Sequence, residues 1–175
     1  YQFGGQIDAD IGDIEIDSAP AYGGQAGLRL QDDGFAFISF TQQSTTARIR
    51  FANGSPDTSF DLDVGYLQFG GELDLHMYRH LVPFIGLSIG STYLKPNEPG
   101  ASTEWFFSGS ALAGAKIPLT KHIGIRTQMR FLGTVIGSDS DFYCVSSGGA
   151  ACAIRVEDTT GFIQGDITGG LYVSF

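Results

Sequence analysis

The sequence of 175 residues predicts an all-β protein, an eight-stranded antiparallel up-and-down transmembrane β-barrel that forms one domain over residues 1–175. Three observations predict this fold. Apolar and polar residues alternate in successive segments, the connections between these segments are alternately short and long, and 25 glycines argue against a mainly helical chain. The longest uncharged stretch, 81–94, contains Pro83 and falls short of the roughly 20 apolar residues that a membrane-spanning helix needs.

Eight segments are predicted to be strands, at residues 1–16, 21–31, 34–51, 60–75, 81–94, 105–119, 123–137 and 153–175. Short turns are expected at 32–34, 76–80 and 120–122, and longer loops at 17–20, 52–59, 95–104 and 138–152. An even number of strands with short turns at one end is typical of bacterial outer-membrane barrels, whose short turns face the periplasm. We therefore expect both termini at the periplasmic end.

The alternation supports these strands in chain order, because one parity is apolar and the other polar. The apolar parity holds Tyr1, Phe3, Ile7, Ala9 and Ile11 in the first strand, then Leu67, Phe69, Leu73 and Leu75 in the fourth, Ile123, Ile125, Met129, Phe131 and Val135 in the seventh, and Ile163, Ile167, Leu171, Val173 and Phe175 in the eighth. The third strand is the least regular, since Phe35 and Phe37 share a parity with Ser39 and Thr41.

In four strands the apolar parity inverts near a long loop, with no inserted residue. Beyond Ile11, for example, Asp13 and Glu15 take the odd positions while Ile14 and Ile16 take the even ones. Similar inversions occur at 48–51, 60–64 and 154–157. A soluble barrel has no reason to change faces, whereas a barrel that leaves lipid for water does, because charges that face lipid are costly. The inversions therefore predict a barrel that stands well above the membrane on its long-loop side.

Three segments carry a resemblance to the small outer-membrane barrels of the OmpA, OmpX and OmpW type, and the likeness covers the whole chain. They are Gly169-Gly170-Leu171-Tyr172-Val173-Ser174-Phe175, Tyr66-Leu67-Gln68-Phe69-Gly70-Gly71-Glu72 and Pro83-Phe84-Ile85-Gly86-Leu87. The resemblance implies an outer-membrane location, with membrane lipid and lipopolysaccharide around the barrel. It also implies assembly by the outer-membrane insertion machinery, which would recognise the last strand and its terminal Phe175.

Charged residues of both signs are predicted inside the barrel, from its periplasmic half to its middle. They are Asp8, Arg29, Glu72, Asp74, Lys116, Arg126, Arg130 and Asp166. Isolated buried charges are very unfavourable, so we interpret this set as a mutually hydrogen-bonded plug. A path for protons or ions through it is the alternative, although eight strands leave an interior that side chains nearly fill.

Apolar residues take the inward parity toward the long loops. The candidate apolar lumen includes Phe60, Leu62, Val64, Leu112, Leu132, Ile136 and Phe162. One interpretation is a core that stabilises the part of the barrel above the membrane. The other is a pocket or lateral route for a small hydrophobic molecule, as the resemblance to OmpW-type barrels implies.

No residue set predicts catalysis, a metal site or a cofactor. Gly86-Leu87-Ser88-Ile89-Gly90 matches a nucleophile motif that requires a strained elbow and a histidine base, but it lies within a predicted strand. His76, His80 and His122 belong to the periplasmic turns, and we interpret them as exposed turn residues. The net charge of −9 argues against binding to nucleic acid, which needs a basic patch.

Cys144 and Cys152 flank a small, flexible run of residues, and we expect them to form a disulfide in an oxidising compartment. Most of the negative charge lies toward the long loops, where acids far outnumber bases. The acids are Asp13, Glu15, Asp17, Asp57, Asp61, Asp63, Glu98, Glu104, Asp139, Asp141, Glu157 and Asp158, and the bases are Arg48, Arg50, Lys95 and Arg155.

Two functional hypotheses follow, and neither is enzymatic. The first is a structural or interaction protein of the outer membrane that works through its acidic extracellular loops, with a protein partner or within an envelope complex. The second is a narrow channel or binding barrel for small hydrophobic molecules. The acidic rim itself fits lipopolysaccharide phosphates bridged by divalent cations, a basic partner or a solvated surface.

Overall fold

The computed structural model describes residues 1–9, 12–30, 33–51, 58–75, 80–97, 103–136, 141–145, 151–155 and 160–174. Within these ranges, the side chains of residues 5–9, 12–14, 49–51, 58, 141–145, 151–155 and 160 are not described. In the part of the chain that is described, no helix is long and apolar enough to cross a membrane.

All regular elements of the described chain are β-strands. They are β1 Gly5–Ala9, β2 Gly12–Ile16, β3 Ala21–Arg29, β4 Gly34–Phe51, β5 Thr58–Asp74, β6 Val82–Pro96, β7 Glu104–Pro118, β8 Ile123–Ile136, β9 Asp141–Val145, β10 Ala151–Arg155 and β11 Thr160–Val173. From β3 to β8, the strands begin and end within one or two residues of the sequence prediction.

The main sheet is antiparallel and curls into a barrel wall. Eight strands follow one another across it in the order β1-β2-β4-β5-β6-β7-β8-β11, and β3 pairs with β4 beside this path. Residues 1–3 bring the two ends of the sheet together, because the backbone of Gln2 bridges to Ala19 on one side and to Asp166 on the other. The prediction of an eight-stranded antiparallel barrel is confirmed.

The predicted first strand, residues 1–16, is wrong. Residues 5–9 and 12–16 form a hairpin instead, with Ala9 opposite Gly12 and Ile7 opposite Ile14. In such a hairpin, odd residues of one arm face even residues of the other, so the parity inverts at the reversal without an inserted residue. The inversion near Ile11 therefore marks a change of direction and not the edge of a membrane.

The predicted loop at 17–20 is also wrong, because it does not join two neighbouring strands. β2 pairs with residues 47–51 of β4, and β3 pairs with residues 35–43 of the same strand. Residues 17–20 are thus an interruption between two strands that follow one edge of β4. Within it, Asp17 accepts a bond from the Arg48 guanidinium at 2.7 Å, and its carbonyl oxygen accepts from Thr45 Oγ1 at 2.6 Å.

The predicted eighth strand, residues 153–175, combines two elements. β10 pairs with β9 in a separate two-stranded sheet, whereas β11 pairs with β8 in the barrel wall. The inversion at 154–157 therefore falls where the chain leaves one sheet for the other. Phe175 itself lies outside the described residues.

The inversion in the predicted fourth strand behaves as expected. On β5, even-numbered residues are inward throughout, from Leu62, which is 3% exposed, to Glu72, which is 2% exposed. The outward residues change from Asp61 near the long loop to Phe69 near the middle. The outer wall is apolar over its central zone, with exposed Leu67, Phe69, Ile85, Leu87, Ile89, Phe107, Phe131, Ile163, Ile167 and Leu171.

Candidate functional site

The lumen contains three successive groups of side chains, and the group nearest the short turns carries the charges. We call Arg29, Glu72, Asp74, Lys116 and Arg126 the charged layer. The guanidinium of Arg126 donates a hydrogen bond to each carboxylate oxygen of Glu72, at 3.0 Å from Nη1 to Oε1 and 2.8 Å from Nη2 to Oε2. Lys116 Nζ lies 2.6 Å from both Glu72 Oε1 and Asp74 Oδ1. Two carboxylates and two cations therefore form a continuous network.

The two carboxylates of this network are buried. The Glu72 side chain is fully buried and that of Asp74 is 5% exposed, so both carboxylates depend on their partners in place of water. Aromatic rings cover the cations, since the Arg126 guanidinium lies 4.1 Å from the centre of the Phe84 ring. Arg29 is the peripheral member, because its side chain is 61% exposed and lies 3.9 Å from Asp74.

A second ion pair lies near the middle of the lumen. Arg130 donates from Nε and Nη2 to Asp166 Oδ2 at 2.8 and 2.6 Å. Arg130 Nη2 also reaches Thr41 Oγ1 at 2.9 Å, so this side chain connects β8 with β4 across the lumen. The predicted plug residues thus divide into two groups: the charged layer and this central pair. The side chain of Asp8 lies outside the described part.

Uncharged polar side chains surround the central pair, and the sequence analysis did not predict them as a group. We call them, together with that pair, the polar belt: Gln2, Thr41, Gln68, Ser88, Thr92, Ser108, Ser110, Arg130, Thr134, Gln164 and Asp166. Gln68 donates to Ser108 at 2.7 Å and accepts from Ser88 at 3.0 Å, while Thr92 and Thr134 are joined at 2.9 Å. Their inward parity could have identified them, since two strands repeat small polar residues there, Ser88 and Thr92 on β6 and Ser108 and Ser110 on β7.

The third group lies toward the long loops and is apolar. We call it the apolar layer: Ile16, Ala47, Phe60, Leu62, Val64, Tyr66, Leu94, Phe106, Leu132, Ile136 and Phe162. Tyr66 joins it to the polar belt, because its hydroxyl donates to Gln164 Oε1. Six of the seven residues predicted for the apolar lumen lie here. Leu112 does not, because it packs with Phe37 and Phe84 beside the charged layer.

The serine and the histidines that were considered for catalysis or metal binding do not lie together in the described part of the chain. Ser88 is buried in the polar belt, where its hydroxyl contacts Gln68 and Ser110 and not a histidine. His80 and His122 are exposed near the short turns, and His76 lies outside the described residues. Among the side chains that are described, no three His, Cys, Asp or Glu residues gather as metal ligands would.

The two cysteines face each other across the β9–β10 hairpin. Cys144 and Cys152 are direct partners in its register. Their side chains lie outside the described set, so the disulfide stays a prediction.

A cavity of about 470 Å³ lies in the barrel wall beside residues 1–4. It is lined by Phe3, Gly4, Glu15, Ile16, Asp17, Ser18 and Ile163. Phe3 and Ile163 are exposed on the outer wall, so the cavity opens outward, and Ile16 is the lining residue that it shares with the apolar layer. Its acidic residues make its rim polar.

Compared by sequence, the chain matches no protein-family model and no curated protein. Compared by structure, it is similar to Neisserial surface protein A, with a TM-score of 0.59 and 13% identity over 99% of this chain and 93% of that one. It also matches the outer membrane protein OprG from Pseudomonas aeruginosa, with a TM-score of 0.49 and 11% identity over 98% and 90% of the two chains. The fold is that of the small eight-stranded outer-membrane β-barrels.

Proposed function

We propose that the chain is a non-enzymatic β-barrel of the bacterial outer membrane, with both termini in the periplasm, and that its role is structural or interactive. The acidic loops at the outer end would carry that role, alone or within an envelope complex. The observation that carries this proposal is the occupied lumen. Salt bridges of 2.6–2.8 Å join Glu72 to Lys116 and Arg126 across the periplasmic half, and the apolar layer fills the outer half.

Because the lumen is occupied, we infer that the outer surface of the barrel carries the function. Eight strands enclose an interior only wide enough for side chains, and here buried side chains from most strands meet within it. A solute would have to break the charged layer, in which Glu72 is fully buried between two cations. The lumen is therefore better suited to holding the wall together than to conducting solutes.

The acidic rim offers a surface for partners. Asp61 is exposed at the loop end of β5, and Asp63 beside it accepts a bond from Ser44 at 2.6 Å. Carboxylates of this kind bind divalent cations, which in turn bridge to lipopolysaccharide phosphates, or they attract a basic protein surface. Membrane lipid contacts the apolar outer wall, and the insertion machinery would recognise the last strand with Phe175.

The lumen part of the proposal is tested by conductance. The refolded protein is added to planar bilayers, and we expect no steady ohmic current. Steady current that changes in Arg126→Met but not in the exposed control Arg29→Met would overturn the occupied-lumen argument.

The rim part is tested by binding lipopolysaccharide in the presence and absence of Ca²⁺. The variant Asp61→Asn should weaken Ca²⁺-dependent binding severalfold. The matched control is Asp33→Asn, which removes a carboxylate at the opposite end of the barrel. Equal loss in both variants would show that net charge, and not the rim, is responsible.

A second candidate function, a binding barrel for small hydrophobic molecules, is favoured by one observation. The wall cavity of about 470 Å³ shares Ile16 with the apolar layer, so a ligand entering through the wall would meet apolar side chains. The test is titration of the detergent-solubilised protein with an apolar fluorescent ligand. Leu132→Ser should weaken saturable binding, whereas Leu112→Ser, which changes a buried leucine outside that layer, should not.

A further inference from the structure

Three aromatic rings contact one another on the outer wall, toward the long loops. We call Phe40 on β4, Tyr93 on β6 and Trp105 on β7 the aromatic patch. The ring centres of Phe40 and Tyr93 are 6.4 Å apart with an angle of 15° between the rings, and those of Tyr93 and Trp105 are 5.4 Å apart at 49°. Trp105 is 58% exposed and Phe40 is 40% exposed, so the patch faces the surroundings of the barrel.

Gly65 lets the Tyr93 ring lie flat against the sheet. This glycine has outward parity on β5 and is opposite Tyr93, yet it is buried, because a Cβ added there would overlap the Tyr93 ring. One face of the ring therefore covers β5, and the other face is turned outward, nearly parallel to the ring of Phe40. Trp105 is tilted and bounds this flat surface on one side.

The aromatic patch is confined to one side of the described wall. Outer-membrane barrels commonly carry girdles of aromatic residues that run around the wall. The row of outward residues that begins at Phe40 continues across the strands to Phe107, and then to Val135 on β8 and Gly161 on β11. No ring follows Phe107 in this row as far as the chain is described. The patch is thus a local surface and not a section of a continuous girdle.

Charged and polar side chains border the aromatic patch on its long-loop side. Asp63 and Lys95 are opposite each other on β5 and β6, two residues beyond Gly65 and Tyr93 on the same outward face. Ser44 donates to Asp63 Oδ1 at 2.6 Å. Two residues along a strand span about 7 Å. A carboxylate, an ammonium group and a hydroxyl therefore lie directly beside the rings.

This combination of groups suits a sugar ring better than an acyl chain or a phosphate. The face of an aromatic ring is partially negative, so it attracts the C–H groups that line one face of a pyranose. Hydroxyls at the edge of the pyranose donate to a carboxylate such as Asp63 and accept from an ammonium group such as Lys95. An acyl chain would place hydrocarbon against both charges, which is unfavourable. A phosphate without a bridging cation is repelled, because the carboxylates of Asp61 and Asp63 outnumber Lys95.

We propose that the aromatic patch binds a sugar ring in the saccharide of a surrounding membrane glycolipid. Tyr93 and Phe40 contact the face of the sugar, and the charged pair beside them binds its hydroxyls. The patch lies where the outer wall of β5 changes from Phe69 to Asp61, the level at which head groups replace acyl chains. This inference rests on the outer-membrane location in the proposed function, and it adds a contact that needs no bridging cation.

Trp105 is the single tryptophan of the chain, so its fluorescence reports on the patch itself. The protein is refolded in dodecylphosphocholine, a detergent without sugar, and lipopolysaccharide is added in the presence of EDTA. Chelation removes the cation bridges on which rim binding depends, so a failure of the rim proposal and a failure of this one are distinguishable. We expect a saturable change in Trp105 emission with lipopolysaccharide and none with phosphatidylglycerol, which has phosphate and acyl chains but no sugar ring. An equal change with phosphatidylglycerol overturns the proposal.

Variants of the rings locate the contact. Tyr93→Leu keeps an apolar cover over Gly65 but removes the ring face, so the half-maximal lipopolysaccharide concentration should rise severalfold, whereas Tyr93→Phe should leave it unchanged. The matched control is Phe131→Leu, which removes an exposed ring from β8, outside the patch. Heat-sensitive gel mobility verifies folding, and Phe40→Leu replaces Tyr93→Leu if the latter does not fold. Equal half-maximal concentrations in the patch variant and in Phe131→Leu overturn the proposal.

Discussion

The side chain of Arg126 binds the fully buried carboxylate of Glu72, and the exposed Arg29 of the same layer provides a control. Arg126→Met removes two hydrogen bonds to Glu72 and leaves Lys116 as the remaining cation beside that carboxylate. We expect the free energy of unfolding to fall by about 3 kcal/mol, because breaking one side of a buried pair leaves charge uncompensated. The measurement is urea unfolding of the refolded protein in lipid vesicles.

Arg29→Met is the control for this change. Arg29 is 61% exposed and lies 3.9 Å from Asp74, so its loss should cost less than about 1 kcal/mol. Adding Glu72→Gln to Arg126→Met should recover part of the stability, since the stranded charge is then removed. Equal losses for the two arginines would contradict the role assigned to burial.

The Tyr93 ring covers Gly65 and leaves no room for a side chain at that position. Gly65 and Tyr93 are opposite each other on β5 and β6, and a Cβ at Gly65 would lie 2.0 Å from the Tyr93 ring. Gly65→Ala therefore displaces the ring and should cost about 2 kcal/mol in unfolding free energy, as overpacking does. Gly71→Ala is the control on the same strand and parity, because its Cβ would find ordinary contact at 3.8 Å. A loss in Gly71→Ala as large as that in Gly65→Ala would point to strand propensity instead.

At the scale of elements, alternation located most strands but could not separate two causes of parity inversion. A strand that passes from lipid to water and a chain that reverses direction both exchange the apolar parity. On β5 the inward row continues unbroken from Leu62 to Asp74, so the chain does not reverse there and the second cause does not apply. Between β1 and β2 the second applies, and Gly12, a residue favoured at chain reversals, was the available sign.

The partners inside the lumen were predicted only as a set. The inward parity identified Glu72, Lys116 and Arg126 as neighbours of opposite charge, but pairing depends on strand register and side-chain reach. Leu112 shows the limit of parity. It is inward, as predicted, yet its height along β7 places it with Phe84 and not with the apolar layer.

The β9–β10 hairpin is a two-stranded element outside the barrel wall, and such hairpins are marginal alone. Cys144 and Cys152 are opposite each other in its register, at a separation of backbones that suits a disulfide. We expect neither cysteine to be alkylated without reductant. Reduction should then speed tryptic cleavage at Arg155 severalfold and leave the heat-sensitive gel mobility of the barrel unchanged. Two free thiols, measured by mass, would contradict the bridge.

For the whole molecule, the order of the lumen layers gives the barrel two different ends. The charged layer lies beside the short turns, and the apolar layer lies beside the long loops. The outer wall changes from apolar to acidic toward those same loops, as on β5 from Phe69 to Asp61. We expect the wall to leave the hydrocarbon region where it becomes charged, and the inner apolar layer to support the part of the barrel beyond that level.

This asymmetry predicts the orientation of the barrel in a cell. In a background of Cys144→Ser and Cys152→Ser, Asn97→Cys marks the long-loop end and Lys121→Cys marks a short turn, and both positions are exposed. A maleimide that cannot cross the outer membrane should label Asn97→Cys in intact cells and Lys121→Cys only after permeabilisation. Heat-sensitive gel mobility verifies that each variant is folded, so the labelling reports position alone. Labelling of Lys121→Cys in intact cells, with Asn97→Cys protected, would reverse the assignment and place the acidic rim in the periplasm.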